Sequence, residues 1–173
     1  MLPGWLISLL TFPGVIAHEF GHKLFCKQFQ VPVFKVCYFR FGNPAGYVIH
    51  GEPGSFAQSF FIVVGPFIVN NILAIAAFVV ASPQITSYGI TQVIFGWLGC
   101  SFAMNSFPSK GDAKNLWAMT KQYAFRNFFS VVIGLPFVII IYVANLLSLI
   151  WFDLIWAVLL YAFVDYFLLK III

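Results

Sequence analysis

The sequence predicts an all-α polytopic membrane protein of about five transmembrane helices, with a small membrane-associated β-hairpin between the first and second. Three observations carry this expectation. Hydrophobic residues fill 62% of the 173 positions and charged residues only 8%, against about 25% charged residues in soluble domains. Mean hydropathy is +0.97. Apolar stretches of about 20 residues, the length needed to cross a ~30 Å hydrocarbon core, recur along the chain.

The apolar segments cover residues 2–26, 56–81, 88–107, 130–149 and 152–173. The last two are separated only by Trp151, Phe152 and Asp153, but as one helix residues 130–173 would span about 66 Å, so two crossings are expected. A chain of this length predicts about one domain. We read residues 1–173 as a single integral-membrane unit, with a core over 1–113 and a cytoplasmic connector plus two further helices over 114–173. The first segment lacks a basic leading region and a small-residue cleavage site, so it is not expected to be a removable signal peptide.

Basic residues give an independent test, because cytoplasmic loops collect Lys and Arg. Lys27, Lys35 and Arg40 follow the first segment; Lys110, Lys114, Lys121 and Arg126 follow the third; none lies in the connections after the second and fourth. This pattern predicts an external N-terminus, with the C-terminus and the end of the first helix facing the cytoplasm. The net charge of +4 suits the lipid bilayer's anionic inner leaflet. It calls for no nucleic acid, which would want a basic groove with stacking aromatics in water.

Residues 31–41 and 47–50 are rich in β-branched and aromatic side chains and flank the turn-forming run Gly42-Asn43-Pro44-Ala45-Gly46, which predicts the hairpin. Phe34, Val36 and Tyr38 are expected on one face, and Cys37, Phe39 and Phe41 on the other. The five tryptophans, Trp5, Trp97, Trp117, Trp151 and Trp156, are expected mostly near helix ends as interfacial anchors. Cys26, Cys37 and Cys100 form no Cys-x-x-Cys spacing and read as small buried hydrophobes.

The chemistry is concentrated in His18-Glu19-Phe20-Gly21-His22, inside the first apolar segment. Residues four apart lie one turn apart on one helical face, so the two imidazoles can share a metal, with Glu19 beside them. Ionisable groups in a membrane helix cost on the order of 3 kcal/mol each, and a bound cation offsets that cost. Such a site suits Zn2+ hydrolysis, with His18 and His22 as ligands and Glu19 as the carboxylate that takes a proton from the attacking water.

Catalytic zinc normally has three protein ligands. Asp112, after Asn105, Pro108 and Gly111, falls on the predicted side of the motif; its alternative role is to cap a helix over residues 113–119. His50 is the alternative third ligand, with Glu52 a further rival. Cys26 is disfavoured because a thiolate lowers the Lewis acidity that hydrolysis needs. Asp153 and Asp165 are expected far from the motif, at an interface or a polar helix contact. Asn70, Asn71, Ser101, Asn105 and Ser106 are expected either to line a path for water or to bond helix to helix.

These motifs, in this order, resemble the site-2 protease family of intramembrane zinc metalloproteases. The resemblance rests on His18 to His22, the hairpin, Gly65-Pro66 with Asn70-Asn71, and Asn105-Ser106-Phe107-Pro108 with Asp112, over residues 2–113. It implies a zinc endopeptidase that cuts a membrane-protein substrate in or near a transmembrane helix, with Asn70, Asn71 or Asn105 near the substrate carbonyl. Gly111 precedes the aspartate where the family places a glycine after it, and the Asn pair comes late. These departures keep open a second reading: a zinc-binding membrane protein that does not cut, serving as a chaperone or regulator.

Overall fold

The computed structural model describes residues 4–125 and 128–172; Leu2, Arg126 and Ile173, used in the segment and charge readings above, lie outside them. Among the described residues the helices are α1 (Gly4–Leu10), α2 (Phe12–Gln28), α3 (Phe56–Ala81), α4 (Ile90–Met104), α5 (Lys110–Tyr123), α6 (Phe128–Leu147) and α7 (Phe152–Ile172). A 3₁₀ turn, Ser148–Ile150, separates the last two, and the strands β1 (Val33–Cys37) and β2 (Tyr47–His50) pair antiparallel. Phe56–Ala81, Phe128–Ile150 and Phe152–Ile171 are long and apolar enough to cross a membrane, whereas α4 has only 15 residues.

The first apolar segment is not one helix. It breaks at Thr11, because Pro13 sits in the opening turn of α2, where its missing N–H is tolerated but could not continue a helix from α1. At the start of α3, the Ser55 side chain accepts the Gln58 N–H, and Gln58 returns its side-chain oxygen to the Gly54 N–H.

The 26-residue α3 is the axis of the molecule. Antiparallel to it runs α2, with Gly14 opposite Asn70 and His22 opposite Ile62. Descending beside one half of α3, α4 brings Gly99 to Phe78 and Asn105 to Asn70. The same descent is continued by α5, whose Ala113 and Leu116 pack with Val63 and whose Tyr123 hydroxyl donates to the Gly54 carbonyl. Against α5, α6 returns with Gly134 at Thr120 and Asn145 at Pro108. Rising in the same sense as α6, α7 places Trp156 at Asn71, Tyr161 at Phe78 and Asp165 at Ser82.

Two paths beside α3 are therefore discontinuous helices, and both break at the same level, around residues 105–109 and 148–151. This corrects the expected antiparallel pair over 130–149 and 152–173. Trp151 adopts a left-handed conformation, φ 65°, which interrupts the helix without reversing it. α7 ends toward Ser82 and α5 ends toward Gly54, at opposite ends of α3, whereas the charge pattern expects the C-terminal end and the basic connector together. Counting charges in loops assigns sides by assuming that each apolar segment reverses direction, and it does not register a helix that breaks and resumes.

The hairpin is shorter than expected. A bulge between Val33 and Lys35 breaks the two-residue alternation, and Phe34 stands 70% exposed. Beyond Cys37 the chain forms a long turn, held where the Arg40 N–H donates to the Ala45 carbonyl at 2.7 Å. Cys26 is fully buried with Val31 and Ile62, as a small hydrophobe would be. Trp156 departs from the interfacial expectation: its indole N–H donates to Asn71 between α3 and α7.

Candidate metal centre

The helical spacing of four places the rings of His18 and His22 with centroids 5.0 Å apart. Each ring is oriented by a backbone carbonyl that lacks its usual helical partner. His22 Nδ1 donates to the Ile62 carbonyl at 2.9 Å; Pro66, inside α3, has no N–H to bond that carbonyl, four residues before it. His18 Nδ1 donates to the Asn105 carbonyl at 2.8 Å, at the C-cap of α4, where helix ends leave carbonyls unpaired. A carbonyl only accepts, so both Nδ1 atoms carry hydrogen, and Nε2 is the nitrogen left on each ring to bind an ion.

Those Nε2 atoms face Asp112. Its Oδ1 lies 3.4 Å from His22 Nε2 and its Oδ2 lies 4.0 Å from His18 Nε2. One ligand atom from each of the three residues falls within 4.8 Å of the others. Donors bound at about 2.0–2.1 Å to one tetrahedral ion stand about 3.3 Å apart, so the donor types suit zinc and the group would have to close inward to hold it. The close approach of α2 to α3 needs glycine at position 21, where a β-carbon would sit 2.7 Å from the Pro66 Cα.

Asp112 is fixed by its own helix. The N-cap of α5 is Ser109, not Asp112: Ser109 Oγ accepts the Asp112 N–H, and Asp112 Oδ2 accepts from the Ser109 N–H at 2.8 Å and Oγ at 2.6 Å. This reciprocal box puts Asp112 at the third helical position rather than at the N-cap, the alternative role considered for it, and leaves Oδ1 directed toward His22.

Glu19 is 8% exposed and, with His18, borders two cavities. One, about 210 Å³, contains His18, His22 and Asp112. The other, about 240 Å³, extends to the breaks in the discontinuous helices, reaching Asn145, Ser148 and Asp153. The hairpin turn covers Glu19: a β-carbon at Gly46 would lie 2.6 Å from the Glu19 Cγ.

The remaining sequence candidates take other positions. His50 borders the smaller cavity, with Nδ1 2.7 Å from the Gly51 carbonyl, but is not in the converging group. Glu52 and Cys26 are not in it either. Asn70 is fully buried and donates to the Asn105 carbonyl at 2.7 Å, the same oxygen that orients His18. Asn71 donates to Phe67 and accepts from Trp156. Asn105 donates to Ser101 and Thr11, Ser101 to Thr11, and Ser106 to Ala103. These groups bond within and between chain segments, and of the five only Asn105 borders the larger cavity. Asp153, expected far from the motif, also borders it with His18 and Glu19, because α7 begins at the level where α4 ends.

Sequence reasoning missed Ser109, Gly46 and the orienting carbonyls. The Ser-x-x-Asp spacing of 109–112 carried the signal for the first; nothing local marks the others, since each depends on a contact across the fold. Compared with known protein families, curated proteins and solved structures, the chain matches none.

Proposed function

We propose that this chain is a membrane-embedded zinc endopeptidase of the site-2 protease type, with His18, His22 and Asp112 as ligands and Glu19 as general base. The observation that carries the reading is the convergence of two oriented imidazoles and one carboxylate, drawn from α2 and α5, beside a buried glutamate on a cavity.

When bound, zinc would polarise the scissile carbonyl and acidify a water. The chain's own groups do the rest. The Ile62 and Asn105 carbonyls hold the two Nδ1 protons and turn each Nε2 toward the place a metal would take. Asp112, pinned by Ser109, supplies the anionic ligand. Glu19, one residue after His18, accepts the water's proton and passes it to the leaving amine. Gly46 keeps the hairpin turn close over Glu19, so the approaching peptide must pass between that turn and α2. Such a substrate is a membrane protein whose helix unwinds locally, since a helical peptide bond is shielded by its own turn.

Lys121 in the last turn of α5 and Lys35 on β1 support a cytoplasmic placement of the Gly54 end of α3. The decisive assay uses detergent-purified protein and helical membrane substrates. Wild type should cut, and Glu19→Gln and zinc chelation should each abolish cutting; cleavage that survives both sinks the proposed chemistry. One contact favours a second reading, a zinc-binding chaperone or regulator that does not cut: the turn at Gly46 already rests on Glu19. Full zinc loading with no turnover would select it.

A further inference from the structure

The larger cavity beside Glu19 has a wall that the chemistry above does not use. It is lined by Asp153, Asn145, Ser148, Asn105 and Ser8 as well as His18 and Glu19. At about 240 Å³ it is below the range of small-molecule sites, about 300–1,000 Å³, and suits one side chain. It shares His18 and Glu19 with the cavity that holds the three converging side chains, so a residue adjoining a peptide bond placed there can extend into it.

Asp153 sets the character of this space. It is half-buried, in the first turn of α7, and makes no hydrogen bond or ion pair among the described residues. Among the described residues, no lysine or arginine lines the cavity. The helix N-terminus helps the carboxylate stay charged but does not fill the space in front of it. A negative group on the wall of a partly enclosed pocket attracts a cation more strongly than it would in bulk water.

We propose that this cavity receives a lysine or arginine side chain of the substrate next to the cleaved bond, with Asp153 as its counter-charge and specificity determinant. The assignment of the side chain to a position beside the cut rests on the endopeptidase reading. Asn145 and Ser148, at the end of α6 and in the turn after it, offer further acceptors for the cation's remaining N–H groups.

The test measures binding and turnover separately. The non-cutting Glu19→Gln protein, zinc-loaded in detergent, is titrated with synthetic transmembrane peptides that carry a single Lys, Met or Glu at each successive position. At one position Lys should bind about tenfold tighter than Met, and Glu weaker than both, as a charge-assisted hydrogen bond provides. Adding Asp153→Asn should bring Lys and Met within about twofold, whereas Asp153→Glu should keep the preference. A purely structural role at the start of α7 would weaken all peptides alike, and that outcome, or an unchanged Lys preference in Asp153→Asn, overturns the proposal. Absence of cleavage by the parent protein bears only on the endopeptidase reading, because the binding comparison does not depend on turnover.

Discussion

The carbonyl of Ile62 accepts the Nδ1 proton of His22 at 2.9 Å, and it is free to do so because Pro66 offers it no N–H. A break in the hydrogen-bond ladder of α3 thus becomes the orienting partner of a ligand on α2. Pro66→Ala restores a backbone N–H that competes for this carbonyl. Zinc affinity should fall about tenfold, read by competition with a chromogenic chelator, while helix content by circular dichroism stays unchanged.

Ser109 ties the Asp112 carboxylate and caps α5 together. Ser109→Ala should therefore cost about 1 kcal/mol in stability and 10–100-fold in zinc affinity. Thermal unfolding with and without zinc separates the two: the zinc-dependent part of the melting shift should shrink along with the baseline. Asp112→Asn keeps acceptor capacity for the cap but loses the anionic ligand, so its unfolding without zinc should change less than its zinc affinity.

Asn70 donates to the carbonyl that also receives His18, from a fully buried position in α3. Asn70→Ala removes that donor and the 3.4 Å contact to the Gly14 carbonyl. The expected loss is about 1–3 kcal/mol, read as earlier unfolding in detergent, with weaker zinc binding because His18 is less firmly held. Substrate KM should move little, which distinguishes this role from contact with the substrate.

At Gly46 the hairpin turn approaches Glu19 so closely that a β-carbon has no room. Gly46→Ala should displace either the turn or the carboxylate. Turnover should fall about 100-fold, the scale of a 1 Å misplacement, with zinc content unchanged by metal analysis.

The motif from His18 to His22 was legible because helical spacing alone determines which residues share a face. Asp112 was legible as a candidate from its place after the third apolar segment, and the structure brings it to the histidines while leaving His50 outside the group. The direction of α7 was not legible. Two apolar segments joined by a short polar step look alike whether the chain reverses or resumes, and the difference lies in the backbone of Trp151. Asp153 was assigned to a remote position for that reason. The asparagines resembled substrate contacts in sequence, but Asn70 and Asn71 are held by partners on other helices, and such pairings arise only once α2, α3, α4 and α7 have packed.

Zinc K-edge X-ray absorption on the purified protein tests the metal site most directly. A site built from His18, His22 and Asp112 should give stoichiometric zinc with two imidazoles and one carboxylate oxygen at about 2.0–2.2 Å, and Asp112→Ala should remove the carboxylate contribution. Protein without bound zinc, or a spectrum showing sulfur ligands or a first shell unchanged by Asp112→Ala, would contradict it.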